Sequence, residues 1–142
     1  ICNGFQALVK LGLVPYGDIR DMDETCPTLT FNTIGRHQSK LVRTQVCSNL
    51  SPWFSRCEVG DEYTIAISHG EGRFVASPQL LEELKAKGQI ASQYVDLTIT
   101  SPDGRILGKM GHTERSGYGL YKNVPGDTYQ PLFEGGVRYF PL

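Results

Sequence analysis

At 142 residues, with 39% apolar and 20% charged side chains, the chain has the size and composition of a single globular domain. Fourteen basic against fifteen acidic residues leave a net charge of -1 and no basic run to follow a phosphate backbone, so nucleic acid is not an expected partner. No stretch approaches the roughly 18 apolar residues of a membrane-spanning helix and no secretory signal opens the chain, so the sequence reads as cytoplasmic, without a membrane partner.

In chain order, Phe5, Leu8 and Val9 fall at i, i+3 and i+4, which predicts a helix over 3–11 that stops before Gly12 and has Cys2 at its N-terminus. Residues 18–27 are polar and acidic, a surface loop. The β-branched stretches 28–34 and 40–47 predict two strands joined by 35–39, a hairpin excursion. A further strand over 63–68 ends at the loop His69-Gly70-Glu71-Gly72-Arg73. Ser77 is placed to cap a helix running through Gly88, with Pro78 at its first position. Strands follow over 90–95 and 105–110, the second introduced by Ser101-Pro102-Asp103-Gly104, a type I turn signal. The tail after Ser116 predicts loops and one short helix over 132–136. Alternating strands and helices of this kind give an α/β layer fold.

The four cysteines, Cys2, Cys26, Cys47 and Cys57, match neither a dense disulfide framework nor a Cys-x-x-Cys metal knuckle. No metal site is expected, and at least three of them read as ordinary thiols. Cys2 stands apart. A free thiol with a pKa of about 8.5 needs help to act as a nucleophile, and a helix N-terminus with its unpaired amides provides it. Gly4 is the small neighbour that a nucleophile on a tight strand-to-helix turn calls for. The other reading of Cys2 is a buried cysteine at a helix start.

His112 and Glu114 stand two residues apart, on one side of an extended strand end, with Thr113 facing away. A carboxylate beside an imidazole holds its tautomer and stabilises the imidazolium formed when the ring takes a proton. His-x-Glu also occurs in zinc deaminases, but the Pro-Cys-x-x-Cys segment that they require is absent. His69 and Arg73 lie at a strand end, where α/β proteins place ligands. A plain turn with a solvated Arg73 competes with that reading, and Arg36 and His37 are weighed in the same way.

Together, Ile-Cys-Asn-Gly-Phe-Gln at 1–6, Ser-His-Gly-Glu-Gly-Arg at 68–73 and Gly-His-Thr-Glu-Arg at 111–115 resemble the C-terminal glutaminase domain of phosphoribosylformylglycinamidine synthases. The segments 32–40, 48–53 and 121–123 are similar to the long single-chain bacterial form. The resemblance implies a class I (triad) glutamine amidotransferase: a three-layer, flavodoxin-like fold with a mostly parallel sheet. Cys2 would attack the side-chain amide of glutamine, His112 would serve as base and then as acid, and Glu114 would orient His112. The Asn3 amide would be an oxyanion donor and Gln6 would stand near the glutamine pocket. The implied partners are glutamine and a synthase domain of the same polypeptide or complex, which receives ammonia for purine biosynthesis. No cofactor is expected in this chain; ATP and Mg²⁺ are expected in the synthase domain.

The sequence departs from that family in three ways. The first strands and a glycine-rich loop that precede the cysteine are not present, so residues 1–142 read as the C-terminal part of one amidotransferase domain, inactive and poorly folded by itself. A loop expected near 96–99 is missing. Gly111 and Thr113 flank His112 where many triad glutaminases have proline. Two rival readings are a non-catalytic interaction module and a Cys-His hydrolase of the peptidase-like α/β fold. The intact Cys2, His112 and Glu114 count against the first, and Asn3 directly after the cysteine counts against the second.

Overall fold

The computed structural model describes residues 1–94 and 97–139. Helix α1 (Asn3–Lys10) is followed by the kinked turn α2 (Leu13–Tyr16), strand β1 (Thr28–Thr30), strand β2 (Gln38–Val46) and a 3-10 turn at Pro52–Phe54. Strands β3 (Glu62–His69) and β4 (Arg73–Val75), helix α3 (Pro78–Ala86), and strands β5 (Ile90–Tyr94), β6 (Thr98–Thr100) and β7 (Leu107–Lys109) come next. A second 3-10 turn, Thr113–Arg115, and helix α4 (Leu132–Tyr139) complete the order.

A five-stranded sheet in the order β3-β2-β5-β6-β7 forms the middle layer, and β1 and β4 make a separate two-stranded ribbon. In β5, Ile90 packs into one hydrophobic cluster and its neighbour Ala91 into another. Adjacent strand residues point to opposite faces, so the sheet is apolar on both sides. One cluster joins Phe5 and Val9 of α1 to Val14, Leu84, Ile99 and Met110. The other joins Val42, Val46, Ile65 and Ile67 to Phe54 and to Leu132 of α4. Full burial of side chains such as Phe5 and Ile65 contributes about 1.5–3 kcal/mol each. This is the expected layered α/β architecture.

The strand directions differ from the expectation of a mostly parallel sheet. Every ladder among the described residues is antiparallel. The sequence over 62–94 does contain a strand-helix-strand crossover, and β3 and β5 do run in the same sense. However, β2 pairs antiparallel with both of them and so lies between them. The hairpin excursion also falls differently. β1 pairs with β4, from Thr28 opposite Val75 to Thr30 opposite Arg73, whereas β2 pairs with β3 over eight positions. A strand's partner depends on residues far away in sequence, so 28–34 and 40–47 could be recognised as extended without their partners being known.

Local signals are matched closely. Ser77 Oγ accepts from the Leu80 N–H at 3.2 Å with Pro78 at the first position of α3, a cap that contributes about 1 kcal/mol. The Gly104 N–H closes the predicted turn on the Ser101 carbonyl at 2.9 Å. Strands β4 and β6 were not anticipated, and the expected missing loop near 96–99 lies partly outside the described residues. Helix α4 runs to Tyr139 rather than ending at Gly136, because Gly135 and Gly136 lie flat on Trp53, where a Cβ would collide with its carbonyl or its ring.

Candidate active site

Helix α1 begins at a strained turn. Cys2 has φ 55° and ψ -116°, a conformation that costs a non-glycine residue about 1–3 kcal/mol and persists only where its surroundings enforce it. Backbone bonds enforce it here: the Cys2 N–H donates to the Lys109 carbonyl of β7 at 2.8 Å, and the Cys2 carbonyl accepts from Phe5 at 2.9 Å and Gln6 at 3.2 Å. The strand holds one side of the turn and the first turn of α1 holds the other. The thiol lies beside β3, with Sγ 3.8 Å from the Ser68 carbonyl oxygen and 4.0 Å from Asn3 Oδ1. The Asn3 N–H, first in α1, has no acceptor among the described residues, as expected for a helix start. A Cβ at Gly4 would meet nothing within 4 Å, so contacts here do not demand the small neighbour that the sequence reading assigned to that position.

His112 and Glu114 come together by a different route from the one expected. Strand β7 ends at Lys109, and the 3-10 turn Thr113–Arg115, rather than an extended strand end, swings Glu114 back to accept from His112 Nδ1 at 2.5 Å. The His112 N–H donates to the Ala66 carbonyl at 2.8 Å, which fixes the residue against β3 two positions before Ser68. His112 is 7% exposed, and its Nε2 is buried without a hydrogen-bond partner among the described residues. With Nδ1–H given to Glu114, a neutral His112 carries a bare lone pair on Nε2. Burial pushes the Glu114 carboxyl up, but the hydrogen bond and charge of His112, its own backbone hydrogen bond and the Arg115 charge outweigh this and leave it below its usual 4.5.

Beneath that turn, Lys109 is fully buried. Its Nζ donates to Thr113 Oγ1 at 2.6 Å and to Gln130 Oε1 at 2.9 Å, and Thr113 Oγ1 donates to the same Gln130 oxygen at 2.7 Å. Nothing in the sequence pattern marked Lys109 or Gln130, since a lysine in a predicted strand reads as solvated.

A cleft of about 380 Å³ opens beside Cys2 and is lined by Gln6, His37, Ser68, His69 and Glu71 among others. Gln6, which the resemblance places near a pocket, donates from Nε2 to the Glu71 carbonyl at 2.8 Å. His69 lies in the wall. Arg73 lines an adjoining hollow with Asn32 and His69, while Arg36 is exposed and its carbonyl accepts from Asn32. His37, not Arg36, reaches the cleft, with Nε2 3.1 Å from Ser68 Oγ. Asn32 was missed as well; the sequence reading puts it inside the 28–34 strand, which ends at Thr30, and an asparagine there says nothing of what its amide will hold.

Cys26, Cys47 and Cys57 are free thiols, and burial pushes the Cys47 and Cys57 thiols above the usual thiol range. Among the described residues no three His, Cys, Asp or Glu side chains converge as a metal site, and no helix is long and apolar enough to cross a membrane.

Over 150 aligned residues the chain is 33% identical to the phosphoribosylformylglycinamidine synthase subunit PurQ of Synechococcus sp. strain JA-2-3B'a(2-13), covering 99% of this chain and 60% of that protein. The subunit of the same name from Mycobacterium leprae is 33% identical over 126 residues, covering 82% and 51%. The structure of PurLQS from Thermotoga maritima superposes with a TM-score of 0.68 at 24% identity, covering 96% of this chain and 58% of that one, which shows a shared fold. The chain thus spans 60% or less of the length of these relatives. Residues 1–98 match the family described as the CobB/CobQ-like glutamine amidotransferase domain. With that match covering more than half of its residues, the chain belongs to the CobB/CobQ-like glutamine amidotransferase family.

Proposed function

We propose that this chain carries the glutaminase site of a phosphoribosylformylglycinamidine synthase, with Cys2 as nucleophile, His112 as general base and acid, and Glu114 as the group that orients His112. The observation that carries this reading is the buried Nε2 lone pair of His112, held in its tautomer by Glu114 and anchored on β3 two residues from the carbonyl that Cys2 Sγ contacts.

The sulfur attacks the carboxamide carbon of glutamine while His112 Nε2 takes the thiol proton. Collapse of the tetrahedral adduct breaks the C–N bond, and His112 returns that proton to the departing ammonia. Water, deprotonated by the same imidazole, then cleaves the thioester to glutamate and restores the thiol. The free Asn3 N–H stands where a residue after the nucleophile contributes to an oxyanion hole. In this reading ammonia passes to a synthase that makes phosphoribosylformylglycinamidine in purine biosynthesis, with ATP and Mg²⁺ handled on the synthase side. The motifs at 32–40, 48–53 and 121–123 favour a synthase within the same polypeptide.

The test is Cys2→Ala in the full-length enzyme. Glutamine-dependent amidine formation should fall by at least about 10³-fold while ammonia-dependent formation is unchanged. Glutamine-dependent turnover that survives the substitution removes Cys2 from the role of nucleophile.

A further inference from the structure

In the loop that walls the Cys2 cleft, one side chain makes most of the side-chain hydrogen bonds. Asn32 Nδ2 donates to two backbone carbonyls, those of His69 at 2.8 Å and Arg36 at 3.1 Å. Its Oδ1 accepts from the Gly72 N–H at 3.3 Å and lies 3.0 Å from His69 Nδ1, and its own N–H donates to the Gly70 carbonyl at 2.8 Å. These contacts leave one orientation for the amide. Flipped, its oxygen would face two carbonyl oxygens and its NH₂ would face the Gly72 N–H, three contacts of the wrong polarity.

The orientation of Asn32 dictates the state of His69. An amide oxygen can only accept, so His69 Nδ1 must carry the hydrogen, and in the neutral ring Nε2 is then a bare acceptor. Gly72 makes room for this arrangement, since a Cβ there would overlap the His69 ring at Cε1 and Nδ1. Burial, and then the charges of His37 and His112, lower the His69 pKa from the usual 6.5 and favour the neutral ring.

We propose that Asn32 locks His69 as the Nδ1–H tautomer, so that His69 Nε2 is a hydrogen-bond acceptor for an N–H group of the amino acid bound in the Cys2 cleft, with Asn32 as the positioning residue. This rests on the glutaminase reading for the identity of the ligand, but the tautomer itself does not. The arrangement suits a ligand with an ammonium or amide N–H, because both are donors that a bare imidazole nitrogen can receive.

The test uses the full-length enzyme labelled with ¹⁵N-histidine, with the His69 signals assigned by difference from His69→Gln. At about pH 7.5 the wild-type His69 is expected to show a protonated Nδ1 and a bare Nε2; an Nε2–H tautomer or an imidazolium overturns the proposal. In Asn32→Ala and Gly72→Ala, the KM for glutamine is expected to rise about tenfold, the value of one lost hydrogen bond, with kcat within about twofold of wild type. A fall in kcat at unchanged KM in both variants means that Asn32 only stabilises the loop, and overturns the positioning role. Should Cys2→Ala retain glutamine-dependent turnover, the glutaminase reading fails while the tautomer measurement still stands or falls by itself.

Discussion

Two histidines face the same end of β3, and in both Nδ1 is held by a side chain, but the two partners differ in chemistry. His112 gives Nδ1–H to the Glu114 carboxylate at 2.5 Å, whereas His69 Nδ1 lies 3.0 Å from the neutral Asn32 amide. A carboxylate stabilises a positive ring and so suits an imidazole that gains and loses a proton. An amide offers no such charge and suits a ring that stays neutral and accepts. The anchoring differs as well: the His112 turn rests on the buried Lys109–Thr113–Gln130 triangle, and the His69 loop is held by the Asn32 amide together with Gln6 on the Glu71 carbonyl. In the proposed mechanism, proton transfer and positioning are thereby divided between two rings of identical chemistry.

The largest effect should come from removing the proton-carrying ring. His112→Ala is expected to lower glutamine-dependent kcat by on the order of 10⁴-fold, measured in the full-length enzyme with ammonia-dependent turnover as the control. A loss below tenfold would leave the two histidines functionally equivalent.

Glu114→Gln converts the partner of His112 into an amide like that of His69. Because the Glu114 side chain is 41% exposed and water can replace part of what it offers, kcat is expected to fall by about 10²-fold, less than for a fully buried orienter. An unchanged kcat would show that the carboxylate is not what distinguishes the two sites.

Thr113→Val keeps the side chain's shape but removes the hydroxyl that, beside the direct Lys109–Gln130 bond, provides a second link between the two. Loss of that link should lower stability by about 1–3 kcal/mol, read as a shift in the denaturant midpoint, while leaving the His69 ¹⁵N signals in place. Movement of those signals would show that the two anchors are coupled.

The smallest effect concerns pH. Burial first, and then His37 and His112, keep His69 below 6.5 when folded, so the unfolded chain binds this proton more readily. The neutral ring therefore supports folding above pH 6.5, and its contribution is lost as pH falls from 6.5 through the lower folded value. Glu114, depressed from 4.5, follows the same direction in a lower window: its contribution is present above 4.5 and is lost as pH drops through its folded value. A Tm series between about pH 7.5 and 5.5 should show a steeper acid-side decline for wild type than for His69→Gln, and equal slopes would remove His69 as the source.

Local features were legible in the sequence because each is encoded within a few residues. The helix after Cys2 followed from the spacing of Phe5, Leu8 and Val9, the Ser77-Pro78 start of α3 from capping chemistry, and the Ser101–Gly104 turn from its residue types. The resemblance of three short motifs led to the family to which residues 1–98 belong. His112 and Glu114 do meet, but through a 3-10 turn rather than the extended strand end that their spacing suggests.

Only the tertiary structure decided which strands pair and in which direction, that β2 would part β3 from β5, and that β1 would leave β2 for β4. The same is true of the site wall: Asn32 reaches His69 and Gly72 across a ribbon formed by residues some forty positions apart. Lys109 is buried because Gln130 and Thr113 meet it there, not because of its neighbours in sequence. Helical periodicity, caps and turns are settled by interactions within about one turn of chain. Strand partners and the burial of polar groups are settled by long-range contacts, whose free energy no local window contains.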